Sequence, residues 1–339
     1  PGTVPANDMN GFYLRTGELP FGECIIEVGF TKTGQKDKLI YAIKTVINEF
    51  DISMGWGSEY LAGSDAFRKT IKLMHFNTVH GGSDNFFNQP SLVEAYPMKR
   101  FDSLPNTSFF SKSDVLPYVH GSERFGEPQL DNKPAQGIFD IYSQYRMSGF
   151  PTTLTFNHEP GYYKYAGLVD YPHFNAYRIN APHADRWGKY DYYGSRNIRG
   201  LLGVEYLSWG APLETIGDYM RTLHEISAPN PVAAWTQGVH NGWSSPFGVN
   251  RPSQSNAFET RIQAVQAIAN GALSLYWFNM SGPSIVENRN NLDEIHKINR
   301  EFATAGSLIS KTVPYAWENK FMDIDYNTLA GPDFALLIV

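Results

Sequence analysis

The chain has a single cysteine, Cys24, which excludes an internal disulfide and every metal site built from several thiolates. Cys24 lies in the apolar run CIIEVGF, where a buried structural thiol is expected rather than a nucleophile. No run approaches the ~18 apolar residues of a membrane-spanning helix, and no signal-peptide pattern is present. The net charge of −6 comes with no long basic stretch, which argues against a nucleic-acid partner held through its phosphates. The nearest approach runs from Lys164 to Arg199, where Arg178, Arg186, Lys189 and Arg196 outnumber Asp170, Asp185 and Asp191. Solvated surface charge is the expected reading of that stretch, with an anionic substrate as the alternative. Also missing are a Gly-rich phosphate turn after an early strand, an HExxH ligand pair and a GxSxG nucleophile turn. Dinucleotide binding, a zinc hydrolase and a serine hydrolase all lose their usual signature.

What the chain does have is aromatic rings: 20 Tyr, 22 Phe and 7 Trp, many of them beside Asn, His, Gln or Gly. Rings with polar edges suit stacking on sugar faces as well as filling a core. At 42% hydrophobic and 18% charged, with no low-complexity tract, the sequence can bury a sizeable core. A length of 339 residues is ordinary for one α/β barrel. The sequons at Asn106 and Asn279 are short patterns that do not establish secretion.

Residues 1–23, rich in Pro, Gly and Asn, read as an irregular lead-in. Beyond them, short apolar runs alternate with helical spacing. Strands are expected at 24–30, 51–56, 76–82, 115–121, 152–156, 173–179, 231–238 and 273–280. Helices are expected at 36–50, 65–74, 134–148, 212–226, 258–272 and 291–305, with Pro212 in a first turn. Residues 83–114 read as a long functional loop, and 196–210 is ambiguous. Eight strands separated by helices predict a (β/α)8 TIM barrel, an α/β fold, over 24–310. The C-terminal extension 311–339 ends in an apolar strand-like run, which predicts the start of a small β domain with more chain to follow.

Such barrels carry their active sites at the C-terminal ends of the strands. The polar and aromatic residues expected there are Trp56, Glu59, His80, Asp84, His120, Glu123, Glu127, Asn157, His158, Glu159, Tyr177, Arg178, Gln237, His240, Trp243, Trp277 and Asn279. Cleavage between sugars needs one carboxylic acid and one carboxylate. Glu123 and Glu127 follow the fourth expected strand in HGSERFGEP, and Glu159 follows the fifth in HEP. The bland alternative makes Pro128 and Pro160 turn markers and their glutamates solvated caps; a proline also restricts the residue before it to extended geometry, which suits a rigidly held carboxylate. His80, His120, His158, His173, His183 and His240 lack the close spacing of metal ligands, so neither a metal nor another cofactor is expected.

PVAAWTQG, ETRIQAVQAIANGA and LSLYWFNM resemble the closing strands of (β/α)8-barrel glycoside hydrolases of bacterial carbohydrate degradation, and HGSERFGEPQ resembles their fourth-strand segment. The resemblance spans roughly residues 115–305 and does not single out one family. It implies a carbohydrate substrate, a secreted or periplasmic location and Glu127 as the acid. Gly126 stands where many relatives have Asp, and Gln237 where the seventh-strand glutamate nucleophile would be. The second carboxylate is therefore expected from strand five or six: Glu159 first, Glu205 second, Asp170 third. Trp56, Tyr177, Trp243 and Trp277 would then be stacking platforms, while Asn157, His158, Gln237 and Asn279 would bind hydroxyls, with His120, Glu123, Arg178 and Glu205 completing the substrate-binding set. Two rival readings are a glycan-binding barrel that has lost a carboxylate, and a lyase or isomerase of an acidic sugar.

Overall fold

A computed structural model describes residues 22–32, 34–45, 49–55, 64–80, 94–103, 118–129, 131–146, 150–156, 159–175, 213, 215–238, 255–278, 280, 289–321 and 324–339. Two strands come first, β1 (Gly22–Lys32) and β2 (Gln35–Thr45), paired antiparallel from Gly22↔Thr45 to Lys32↔Gln35 as a separate hairpin. The expected helix at 36–50 is thus corrected: its first ten residues are strand. Gly34 sits in the turn at φ +82, in the left-handed region where glycine carries no Cβ penalty. That turn sets the hairpin register, which runs unbroken along both strands.

Eight parallel strands follow: β3 (Asp51–Met54), β4 (Thr78–His80), β5 (Lys99–Ser103), β6 (Val119–Glu123), β7 (Thr153–Phe156), β8 (Tyr171–Asn175), β9 (Val232–Gln237) and β10 (Ala272–Phe278). Their order runs β6-β5-β4-β3-β10-β9-β8-β7, and the two ends meet where Ser122 bridges Thr152 and donates its N–H to Pro151 O at 2.9 Å. The sheet is a closed (β/α)8 barrel. One barrel strand, β5, lies inside the stretch expected to be loop, and the run at 24–30 belongs to the hairpin instead.

The helices are α1 (Asp65–Leu73), α2 (Ala135–Tyr142), α3 (Glu159–Tyr165), α4 (Thr215–Ser227), α5 (Ala257–Ala269) and α6 (Arg289–Ile309). Ser64 caps α1 through Phe67 N–H, and Asn256 with Glu259 forms a reciprocal capping box on α5. Outward strand residues such as Ile52, Met54, Leu154, Phe156, Phe174, Ala234 and Leu275 join Ile71, Tyr219, Met220, Ile268 and Ile298 of the helices in one apolar core.

Alternate strand residues turn into the barrel lumen, and this inner face is polar. Asp51, Ser53, Thr78, Lys99, His120, Tyr171, His173, Ser274 and Tyr276 are all buried there. Parallel strands covered on both faces are usually apolar throughout. A polar lumen therefore needs internal partners, and it has them. Tyr171 Oη and Ser274 Oγ share a hydrogen bond at 2.7 Å, and Thr78 Oγ1 donates to Asp51 at 3.1 Å.

Three antiparallel strands close the described chain, β11 (Val313–Phe321), β12 (Ile324–Ala330) and β13 (Ala335–Ile338). Asn327 of β12 donates to Ala269 O at 3.1 Å and Asn270 Oδ1 at 3.0 Å, and Leu329 is buried in the barrel's outer core. The small sheet packs beneath the barrel, beside the start of β10.

Candidate active site

At the C-terminal end of β6 the chain carries two carboxyls, Glu123 and Glu127. The β5–β6 ladder slips here: Arg100 pairs with Val119 but Phe101 pairs with Gly121, leaving His120 as an extra residue. Strict alternation would send His120 and Glu123, three residues apart, to opposite faces. The bulge interrupts that alternation between the two residues.

The segment after β6 is pinned at several points. Tyr142 Oη of α2 accepts from Arg124 N–H at 3.1 Å and donates to Thr153 O at 2.9 Å. Thr155 N–H donates to Gly126 O at 3.0 Å, and Lys133 N–H donates to Pro128 O at 3.0 Å. Gly126 has φ +54, a left-handed conformation that glycine takes without strain. The departure from Asp at this position thus has a backbone reason. The result is that Glu127 faces the end of β8, where Asn175 Nδ2 donates to its Oε1 at 2.9 Å.

Glu123 is half-buried, and its Oε2 is closed off with no hydrogen-bond partner among the described residues. Burial first, and the charge of Glu127 second, raise its carboxyl from the ordinary 4.5 to about 8. Glu123 therefore carries a proton at neutral pH. Two carboxyls on one loop have been given different environments, one desolvated and one held by an amide donor, which is how a fold separates an acid from a carboxylate.

One layer deeper, His120 Nδ1 and Asp51 Oδ2 lie 2.5 Å apart. Lys99 Nζ is 3.4 Å from Asp51 Oδ1 and 3.4 Å from Glu49. Burial alone would raise Asp51, but His120, Lys99 and Thr78 together hold its carboxyl below the usual value. Burial lowers His120, outweighing the pull of Asp51, so the pair is a carboxylate with a neutral imidazole donating from Nδ1. His120 is walled by Tyr171, His173 and Tyr276 at ring separations of 4.8, 5.6 and 5.1 Å. It supports the floor of the site rather than its mouth.

Above it, Trp235 spans the lumen. Its ring lies 4.5 Å from Tyr276, 6.2 Å from His80, 6.4 Å from His173 and 6.1 Å from Phe278. Gly55 makes this fit possible, since a Cβ there would stand 2.9 Å from the indole and 2.6 Å from Trp277 O.

The structure brings Glu123, Glu127 and His120 into one region, with Gln237 buried at the end of β9. It removes two other candidates. Trp277 points outward, fully buried against α6 with Nε1 donating to Asn299 Oδ1 at 2.8 Å, so it offers no face to a sugar. Asp170 lies at the opposite end of the barrel, where its Oδ2 accepts from Thr152 N–H and Oγ1, each at 2.8 Å. Glu159 opens α3 just after β7, at the same end as Glu127, and its side chain lies outside the described residues. Trp56, Glu59, Asp84, Asn157, His158, Tyr177, Arg178, Glu205, His240, Trp243 and Asn279 also lie outside them. Sequence reasoning missed Asn175 and Trp235. Each shares strand parity with a residue it had noted, Asn175 with His173 and Trp235 with Gln237.

Among the described residues, no group of three His, Cys, Asp or Glu side chains could hold a metal ion, and no helix is long and apolar enough to cross a membrane. No family model and no curated protein matches the chain. Among solved structures, it is similar to a family 39 glycoside hydrolase from the gut symbiont Bacteroides cellulosilyticus, with 10% identity, a TM-score of 0.45, and coverage of 93% of this chain and 76% of that one. A family 17 β-1,3-glucanosyltransferase from Rhizomucor miehei aligns at 14% identity and a TM-score of 0.38, over 67% and 86%. A truncated 3-deoxy-D-arabino-heptulosonate 7-phosphate synthase from Thermotoga maritima aligns at 9% and 0.40, over 80% and 91%. Likeness at this level is compatible with several chemistries on one barrel.

Proposed function

We propose that the chain is a glycoside hydrolase acting on an oligo- or polysaccharide, with Glu123 as proton donor and Glu127 as the ionised carboxylate. The observation that carries this is the pair itself: adjacent carboxyls at the C-terminal end of the fourth barrel strand, one protonated at neutral pH and the other fixed by Asn175. Glycosidic cleavage asks for that division of labour, because the leaving oxygen needs a proton while positive charge develops at the sugar carbon. The polar lumen and the Trp235–Tyr276 aromatic floor also suit a sugar. Compared with the reading from sequence, the acid moves from Glu127 to Glu123. Glu159, one strand over, remains the candidate to activate water or attack from the other side of the bond.

The test is turnover on a glycan panel by the wild type and by Glu127→Gln and Glu159→Gln. Loss of the carboxylate should lower kcat by ~10²–10⁴-fold in Glu127→Gln while the fold persists. Full activity of Glu127→Gln on a good substrate would remove the assignment. Tight glycan binding by calorimetry with no product from the wild type would make the barrel a binding protein.

A further inference from the structure

At the opposite end of the barrel from the carboxyl pair there is a cavity of about 620 Å³ between β3, the end of α1 and the end of α6. The N-terminal face of such a barrel ordinarily serves stability alone. This cavity has an apolar floor, in which Phe50 and Phe76 meet Gly306, where a Cβ would stand 3.1 Å from Phe50. Its rim carries two lysines, Lys72 and Lys311, and the imidazole of His75. Lys72 Nζ is bonded to a neutral partner, Pro97 O, at 2.8 Å. Among the described residues the one acid on the lining is Glu49, and its carboxylate faces Lys99 in the lumen at 3.4 Å. The positive charge around the cavity is thus not balanced from within it.

His75 supplies an independent observation. It follows α1 at φ +62, with its N–H donating to Lys72 O and Phe76 N–H donating to Ile71 O, both at 3.0 Å. This is the helix-ending geometry in which glycine is the usual residue, because a side chain there is strained. A histidine at that position places a ring in the cavity wall, stacked on His296 at 5.5 Å and 29°. Burial, then the neighbouring His296 and Arg300, lower the readiness of His75 to take a proton, so it stands in the wall as a ring with hydrogen-bonding edges beside the two lysines.

We propose that this basal cavity binds a small organic carboxylate with a flat, ring-sized apolar body, the carboxylate facing Lys72, His75 and Lys311 and the ring lying on Phe50 and Phe76. The volume suits a ligand of that size. The inference stands apart from the glycosidase reading, since none of its residues belongs to the carboxyl pair or its supports.

Calorimetry with sodium benzoate and phenylacetate, against benzyl alcohol and inorganic phosphate, tests it. Saturable one-site binding of an aromatic carboxylate is expected, with benzyl alcohol and phosphate each at least about tenfold weaker. The double variant Lys72→Gln/Lys311→Gln should weaken benzoate by about tenfold or more, and Ser307→Trp, which puts an indole at the exposed rim, should abolish binding. Thermal melts confirm that both variants fold. Equal binding of benzyl alcohol would overturn the anion preference, equal binding of phosphate would overturn the apolar body, and unchanged benzoate binding by Ser307→Trp would move the site elsewhere. No binding of either aromatic carboxylate would overturn the proposal outright.

Discussion

Replacing Glu123 with Gln should make the protein more stable at neutral pH while removing its turnover. In the fold this carboxyl titrates at about 8, against 4.5 when solvated. A raised carboxyl favours the folded state fully below 4.5, and that contribution is lost as pH rises from 4.5 through about 8. At pH 7 the unfolded chain holds the group ionised and the fold holds it protonated, a mismatch of about 3 kcal/mol. Gln has nearly the same shape and no charge to lose, so Glu123→Gln removes that penalty. Chemical denaturation of both proteins at pH 4 and pH 7 is the assay. The stability difference between them should be near zero at the lower pH and grow to about 2–3 kcal/mol in favour of the variant at the higher. Comparing variant with wild type cancels the other titrating groups. In the same series, kcat/KM of the wild type should fall along an alkaline limb near pH 8, as the donor loses its proton. A variant no more stable than wild type at pH 7 would refute the claim that Glu123 is held protonated out of water, and with it the acid assignment.

Asn175→Ala removes the amide that holds Glu127 Oε1 and should lower kcat by about tenfold with little change in melting temperature, read by turnover and thermal scans together. Asp51→Asn breaks a buried pair and leaves Lys99 facing Glu49 alone, so a loss of about 3–5 kcal/mol is expected by denaturant melts at pH 7. In the same melts taken downward in pH, the contribution of His120 should fall below the solvated histidine value of 6.5, where the unfolded chain binds a proton that the buried imidazole refuses, opposing the gain from Glu123, and that of Asp51 should fall below 3.8 as it is forced to protonate. Because Asp51 lies beneath the site rather than in it, a stable fraction of Asp51→Asn should keep the substrate preference of the wild type.

The alternation of strands and helices was enough to read a closed barrel, and the number of strands was right, although two memberships were exchanged. KDKLIYAIKT has apolar residues compatible with a helix, and only the glycine turn at Gly34 and the full ladder with β1 decide for strand. KRFDS was passed over because residues 83–114 show no clear periodicity, yet Lys99 and Arg100 are buried in a barrel strand. The rule that parallel barrel strands are apolar runs fails where the lumen is polar, since an inward lysine on β5 can meet an inward aspartate on β3, two strands away in sequence order but close in space. Trp277 failed for the mirror-image reason: an aromatic at a strand end looked like a platform, but its parity puts it on the outer face against Asn299.

The carboxyl pair was legible in part. Position after the fourth strand pointed to HGSERFGEP, but nothing in the letters says which glutamate keeps its proton. That depends on burial of the side chain and on the neighbouring charge of Glu127, which only the packed fold sets. Burial of Glu123 acts first on its proton, and the charge on Glu127, held by Asn175, acts second in the same direction. Removing the negative charge in Glu127→Gln should therefore do two things at once, ending turnover and lowering the Glu123 titration from about 8 toward its solvated value, with burial alone setting where it stops.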